Sequence, residues 1–281
     1  MIREVEVSRI KENIKEMCIE ANYTLSEDMV SALSTAGRTE ESTIGKRILK
    51  DLETNLEIAG KEQIPICQDT GMAVVFLEIG QDIHITGGEL YEAVNEGVRE
   101  GYTEGYLRKS VVLDPLEREN TKDNTPAVIH TKIVSGDKMW ITFTPKGFGS
   151  ENMSKLYMLK PADGEKGVKE AILQAVRDAG PNACPPVVVG VGIGGTFEKA
   201  AIMAKHALTR EVGRHSEKEH LARMERELLE KINNLGIGPG GLGGKVTALA
   251  VNIEAYATHI AGLPVAVNMC CHVNRHVRRE I

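Results

Sequence analysis

Residues 186–208, PVVVGVGIGGTFEKAAIMAKHAL, read as three consecutive pieces of one folding step. The first is a short apolar run rich in valine, as a buried strand requires. A glycine turn follows, and Thr196 stands where an N-cap opens a helix. Strand, tight turn and helix form the elementary unit of an α/β protein. The same run spells GxGxxG at Gly190, Gly192 and Gly195, the pattern of a dinucleotide-binding turn. That function needs a second parallel strand ending in an acidic residue about twenty positions on, whereas here LTREVGRHSEKEH leads into another helix. Close packing of helix on strand is the plainer use of these glycines, and anion binding by the amides after Gly195 is the other.

Working outward, the first sixty residues have helical patterning. Ile44, Ile48, Leu52 and Leu56 recur at four-residue steps, as an amphipathic face does, and Thr24 with Glu27 fits a capping box opening a second helix. The pattern breaks at IPICQDTG (64–71), and AVVFLEIG (73–80) reads as a strand. A helix from about residue 88 to 102, strands AVIHTKIV and MWITFTP, the loop KGFGSEN and the helix GEKGVKEAILQAVRDAG follow. Ser216 and Glu219 suggest a capping box for a charged helix that ends before GIGPGGLGGK (236–245). That glycine stretch lacks the GK[ST] ending of a phosphate loop, because Val246 follows Lys245. Two strands, VTALAVNIEAY and LPVAVNM, complete a mixed α/β (α+β) fold. The expectation is a helical N-terminal scaffold, β-sheets flanked by helices, and a single domain over 1–281 with no internal repeat.

Composition narrows the function. Of 281 residues, 42% are hydrophobic and 26% charged, which suits a globular protein, and no apolar run approaches a membrane span. Forty acidic against 34 basic side chains give a formal charge of −6, and aromatics are 4%, so neither a basic face nor a base-stacking groove for nucleic acid is expected. Only the closing RHVRRE is locally basic. The charged N-terminus lacks the apolar core of a secretory signal, so a cytoplasmic location and reduced thiols are expected.

Three of the five cysteines share a setting in which an apolar strand meets a polar turn: Cys67 in PICQDTG, Cys184 in NACPP and Cys271 in NMCCHVNRH. Cys18 lies mid-helix, and Cys270 is adjacent to Cys271 on a presumed strand, so the two should face opposite sides; either could be the functional one. Pro65, Pro185 and Pro186 stiffen the backbone beside two of these thiols. Three thiolates without a fourth would leave one position on a zinc, or one iron of a cubane cluster, open to substrate. Five buried, inert thiols are the plain alternative. KGFGSEN is either a hairpin loop or a backbone nest for a carboxylate with Ser150 and Asn152 as donors, and His259 at a strand end is either a packed histidine or a catalyst.

Taken in order, PICQDTG, GYLRKS, KGFGSEN, NACPPVVVGVGIGGTFEKA, GIGPGGLGGK and CHVNRH resemble the iron-sulfur-dependent class I fumarate hydratases, above all their separate α subunit. The resemblance spans nearly the whole chain and extends to the related L-tartrate dehydratase α subunit; the GSEN loop favours fumarase. It implies a 4Fe-4S cluster at strand ends and turns, held by Cys67, Cys184 and Cys271. Cys271 is preferred because the family's last motif places Arg-His after a cysteine and three residues, here Arg275 and His276. The implied reaction is the tricarboxylic acid cycle hydration of fumarate to L-malate, with an open cluster iron as Lewis acid.

By the same resemblance Gln68 and Asp69 contact substrate, with Asp69 as acid/base partner. Arg108 pairs with a substrate carboxylate, Gly149 supplies amide contacts, and His259 lines the catalytic pocket. Phe148 departs from the small residue expected there. Single-chain relatives complete the pocket from a further C-terminal domain, so a separate β subunit, in an assembly such as α2β2, is the implied partner. The alternatives are a tartrate or other hydroxy-diacid dehydratase, and a non-catalytic iron-sulfur or zinc module.

Overall fold

Valine-rich strands need apolar cover on both faces, and helices supply it here. In the computed structural model, which describes residues 2–281, the order is β1 (Arg3–Glu6), α1 (Val7–Tyr23), α2 (Glu27–Thr39), α3 (Thr43–Glu62), β2 (Met72–Gly80) and β3 (Ile83–Thr86). Then come α4 (Leu90–Glu104), β4 (Val128–Val134), β5 (Met139–Lys146), the single turn α5 (Phe148–Glu151), β6 (Lys155–Leu159) and α6 (Gly164–Ala179). The chain closes with β7 (Val187–Gly194), α7 (Phe197–Ala207), α8 (Glu219–Asn233), β8 (Ala248–Tyr256), β9 (Leu263–Cys270) and β10 (Val277–Glu280). No helix among the described residues is long and apolar enough to cross a membrane.

The chain forms two units, each built from separated stretches. The first takes residues up to Leu25, Leu56–Phe148 and Arg275–Ile281. Its main sheet has the order β10-β5-β2-β4, with β2 antiparallel to β5 and parallel to β4, while β1 and β3 pair separately. Val75, Leu77, Ile141 and Phe143 pack against Ile10, Ile14 and Met17 of α1 and Val94, Val98 and Tyr102 of α4. Gly97 and Gly101 let α4 lie close on α1: a Cβ at Gly97 would come 2.5 Å from the Lys11 carbonyl oxygen.

The second unit takes Ser26–Asn55 and Gly149–Asn274. Its sheet runs β6-β9-β7-β8, with β7 parallel to β8 and antiparallel to β9. Side chains alternate along β7. Val187, Val189 and Val191 join Val168, Ile172 and Val176 of α6 and Leu221, Leu228 and Ile232 of α8 in one core. Gly190 and Gly192 face α7 instead, where a Cβ would lie 2.1 Å from the carbonyl oxygens of Ala204 and Ala200 respectively. Close helix–strand packing is therefore what these two glycines provide.

The longer elements follow the sequence pattern; the short strands β1, β3, β6 and β10 and the caps do not. The N-cap of α2 is Ser26, not Thr24, and that of α8 is Lys218, not Ser216; neither makes a side-chain cap bond. Ser216 sits before α8, where its amide donates to the Glu225 carboxylate. Thr196 is the N-cap of α7, but its hydroxyl bonds the Glu198 side chain rather than the helix backbone. On α3 the deepest apolar residues are Leu49 and Ala59, while Ile44 is 55% exposed, so the buried face is rotated from the one the four-residue steps suggest. β9 ends at Cys270, so Cys271 lies beyond the strand.

One buried carboxylate organises the second unit. Glu40, 1% exposed, accepts the amides of Glu41, Ser42, Lys245 and Val246 at 2.8–3.0 Å. Burial disfavours its charge, but these four amides outweigh burial and hold the carboxyl below the usual carboxylate range.

Two stability predictions follow from these contacts. Gly192→Ala is expected to lose about 1–3 kcal/mol through overpacking against the α7 backbone, and an unchanged Tm would mean that α7 yields freely. Glu40→Gln is expected to cost about 1–3 kcal/mol at pH 7 through unsatisfied amides. Because the folded pKa of Glu40 lies below the unfolded one, its contribution is full above about pH 4.3 and is lost as pH falls through the folded value. The urea midpoints of wild type and Glu40→Gln should therefore differ at neutral pH and converge at acid pH, and a gap between them independent of pH would contradict the role of the charge.

Candidate functional site

In the first unit the PICQDTG turn joins α3 to β2 and is held from several directions. Gly71 has φ +75° and lies so close to β5 that a Cβ would be 2.8 Å from backbone atoms of Pro145 and Lys146; only glycine fits. The carbonyl oxygens of Thr70 and Gly71 lie 2.7 and 3.0 Å from the hydroxyl of fully buried Tyr102, which donates to them. Burial pushes that hydroxyl's pKa far above the usual tyrosine value, so it stays a proton donor. Asn124 donates its amide to the Gly71 carbonyl at 3.1 Å, and the Arg275 guanidinium donates to the Asp69 carbonyl.

The Asp69 side chain is fixed by two backbone donors. Oδ1 accepts the Gly71 amide at 3.0 Å and Oδ2 accepts the Phe148 amide at 2.9 Å. Gly147 gives room for this approach, since a Cβ there would stand 3.1 Å from Oδ2. Buried Lys146 donates its Nζ to the Gly147 carbonyl at 3.0 Å. Arg108 is clipped to the same turn by its backbone: its amide donates to Thr70 Oγ1 at 2.9 Å, and that hydroxyl lies 3.3 Å from its carbonyl. Its side chain is left exposed, as is Gln68, while Cys67 is half-buried. Cys67, Gln68, Asp69 and Arg108 thus belong to one unit and one turn system.

In the second unit Cys184 ends a short 3-10 turn in the left-handed region, at φ 54° and ψ 64°, a conformation uncommon for a residue with a side chain. It is exposed, and its carbonyl oxygen lies 3.4 Å from the His272 amide, which donates to it, and 3.1 Å from His272 Nδ1. This ties the Cys184 turn to the segment that carries half-buried Cys271. The glycine stretch 236–245 backs the same turn. The Gly240 amide donates to the Pro185 carbonyl at 2.8 Å, and Gly241 sits so close that a Cβ would be 2.2 Å from Pro181 Cβ. Cys270 and Cys18 are buried.

Gly149 and Asn152 are exposed and Ser150 is buried, within or just after the helical turn α5. One amide of this loop, that of Phe148, meets a carboxylate, which is the chain's own Asp69. His259 is exposed in the loop between β8 and β9, where its Nδ1 accepts the Ala261 amide at 3.1 Å. Glu151, next to Ser150, accepts from Lys205 and from Asn268, which anchors the loop to α7 and β9. Tyr102, Asn124 and Arg275 carry no local signal for their part in the turn, because each acts across more than thirty residues of chain.

The family model described as "Fumarate hydratase (Fumerase)" matches residues 11–280. A protein of Methanocaldococcus jannaschii named "Putative L(+)-tartrate dehydratase subunit alpha" is 45% identical over 280 residues, covering 97% of this chain and 98% of its own length. The "L(+)-tartrate dehydratase subunit alpha" of Escherichia coli strain K12 and that of Shigella sonnei are each 32% identical over 267 residues, covering 92% of this chain and 88% of their own. With a match that runs almost from end to end, the chain belongs to the fumarate hydratase family and is a hydro-lyase.

Proposed function

We propose that this chain is the α subunit of a 4Fe-4S hydro-lyase that hydrates fumarate reversibly to L-malate and works with a separate β subunit in the cytoplasm. The observation that carries the proposal is the division among the thiols. Cys67, Cys184 and Cys271 have surface access, whereas Cys18 and Cys270 are enclosed. Three accessible thiols are the number that would leave one iron of a cluster without a protein ligand, and they would be the residues that hold it. Among the described residues, no three His, Cys, Asp or Glu side chains are already gathered as a metal-binding group. When bound, the cluster supplies Lewis-acid activation of the substrate oxygen.

The chain's own groups would do the rest. Arg108, tethered by its backbone to Thr70, offers a planar guanidinium that can grip a substrate carboxylate through two bonds. Asp69 has each carboxylate oxygen fixed by one amide, which sets its direction and leaves lone pairs to take or return the proton of the hydroxyl or water. Gln68, exposed beside it, would orient substrate by its amide, and Gly149 and His259 would face the ligand from their loops. The β subunit would supply the further cationic groups that a second carboxylate needs, in an assembly such as α2β2. The names of the relatives favour one other substrate, L-tartrate, on the same residues.

Anaerobic assay of this chain with its β subunit against fumarate and L-tartrate decides between them: fumarate hydration is expected, and turnover of tartrate alone would overturn that choice. Replacing Cys67, Cys184 or Cys271 by Ala should abolish the charge-transfer absorption of a reconstituted cluster, and Cys18→Ala and Cys270→Ala should retain it. Asp69→Asn should keep the cluster while kcat falls about 10²- to 10⁴-fold with little change in KM. A kcat near wild type would leave Asp69 as a turn residue only.

A further inference from the structure

The Asp69–Thr70–Gly71 backbone presents three successive carbonyls to donors buried in the first unit. Tyr102 serves Thr70 and Gly71, Asn124 adds a second bond to Gly71, and Arg275 serves Asp69. Arg275 is 4% exposed, and its Nε and Nη1 have no hydrogen-bond partner among the described residues. A buried guanidinium with so few acceptors is a poor choice for stability, since an apolar side chain of similar volume would fill the space without desolvating a charge. Its main chain is held in place from β5: Thr144 Oγ1 donates to the Arg275 carbonyl at 3.0 Å, and two residues later Val277 pairs with Phe143. The guanidinium is thus mounted on the sheet and directed at one peptide group.

We infer that Arg275 is the positioning residue of the Asp69 turn: it fixes the Asp69–Thr70 peptide and, through it, the direction of the Asp69 carboxylate. Tyr102 and Asn124 hold the two carbonyls that follow, so among the described residues Arg275 is the donor that opposes rotation of the Asp69 carbonyl. If that peptide turned, the carboxylate would leave the Gly71 and Phe148 amides that it now accepts. Arg275 touches no substrate in this scheme and acts through the backbone. The link to turnover rests on the proposed role of Asp69; the link to the turn does not.

Amide hydrogen exchange, measured residue by residue on the full chain without substrate, tests the inference. A bond from a charged donor contributes about 1.5–3 kcal/mol, so in Arg275→Met the Gly71 and Phe148 amides should exchange about tenfold faster or more. Amides inside β2 and β5 should be unchanged. Arg275→Lys, whose ammonium can reach the carbonyl but lacks the planar fork, should fall between the two, and it decides the matter alone if the Met variant does not fold. Wild-type exchange at both amides in a folded variant, or a uniform rise across the first unit, would overturn the inference. In the cluster-loaded complex Arg275→Lys should lower kcat with KM within about twofold, the pattern of a lost transition-state interaction. A changed KM at constant kcat would contradict positioning of Asp69. A complex inactive on every diacid would sink the proposed function while the exchange result still stood.

Discussion

The carboxylate of Glu40 gathers four backbone amides from two distant stretches of chain, and much of the second unit takes its shape from that contact. A glycine-rich segment has little to define it from within, because ten residues with six glycines lose much entropy on ordering and bring few side chains to pack. An ionised acceptor enclosed in the fold supplies what the segment lacks. Once residues 236–245 are fixed, they back the Pro181–Pro185 turn, and that turn holds Cys184 in its left-handed conformation. Order therefore passes from a helix-linker carboxylate to a thiol through the backbone of the glycine segment.

The first unit repeats this solution at its own turn. Asp69 binds amides with its side chain while its carbonyl is held from behind, so the residue is clamped on two sides. Such a clamp is what the proposed proton-transfer role would use, since a catalytic group works best when its direction is set before substrate arrives. The same clamp also gives Asp69 a purely architectural use, as many Asp-Thr-Gly turns have.

What the sequence discloses follows from how local each interaction is. β2, β7, β8 and β9 are legible because burial on both sides imposes runs of Val, Ile and Ala. The short strands β1, β3, β6 and β10 are not, since four or five half-exposed residues become strands only through partners far along the chain. The expected capping box at Ser216 misplaces a helix start because Glu225 takes the Ser216 amide, and the one at Thr24 does so because Thr24 caps the end of α1, its amide donating to the Glu20 carbonyl. The cysteine turns stand out as apolar runs meeting polar turns. The distinct settings of Cys270 and Cys271 depend on where β9 stops, which a run of small apolar residues does not mark. Arg275 is visible as a motif letter, but its target lies 206 residues away.

The pairing of β10 with β5 has a consequence for synthesis on the ribosome. The last strand of the sheet order β10-β5-β2-β4 is made from residues 277–280, so that sheet stays open along β5 until translation has passed the second unit entirely. The second unit, whose stretches end at Asn274, has all of its chain available sooner. Domains complete in order of emergence when their contacts permit it, so the nascent chain should acquire its second unit first. The open β5 edge is meanwhile a surface for chaperones to cover.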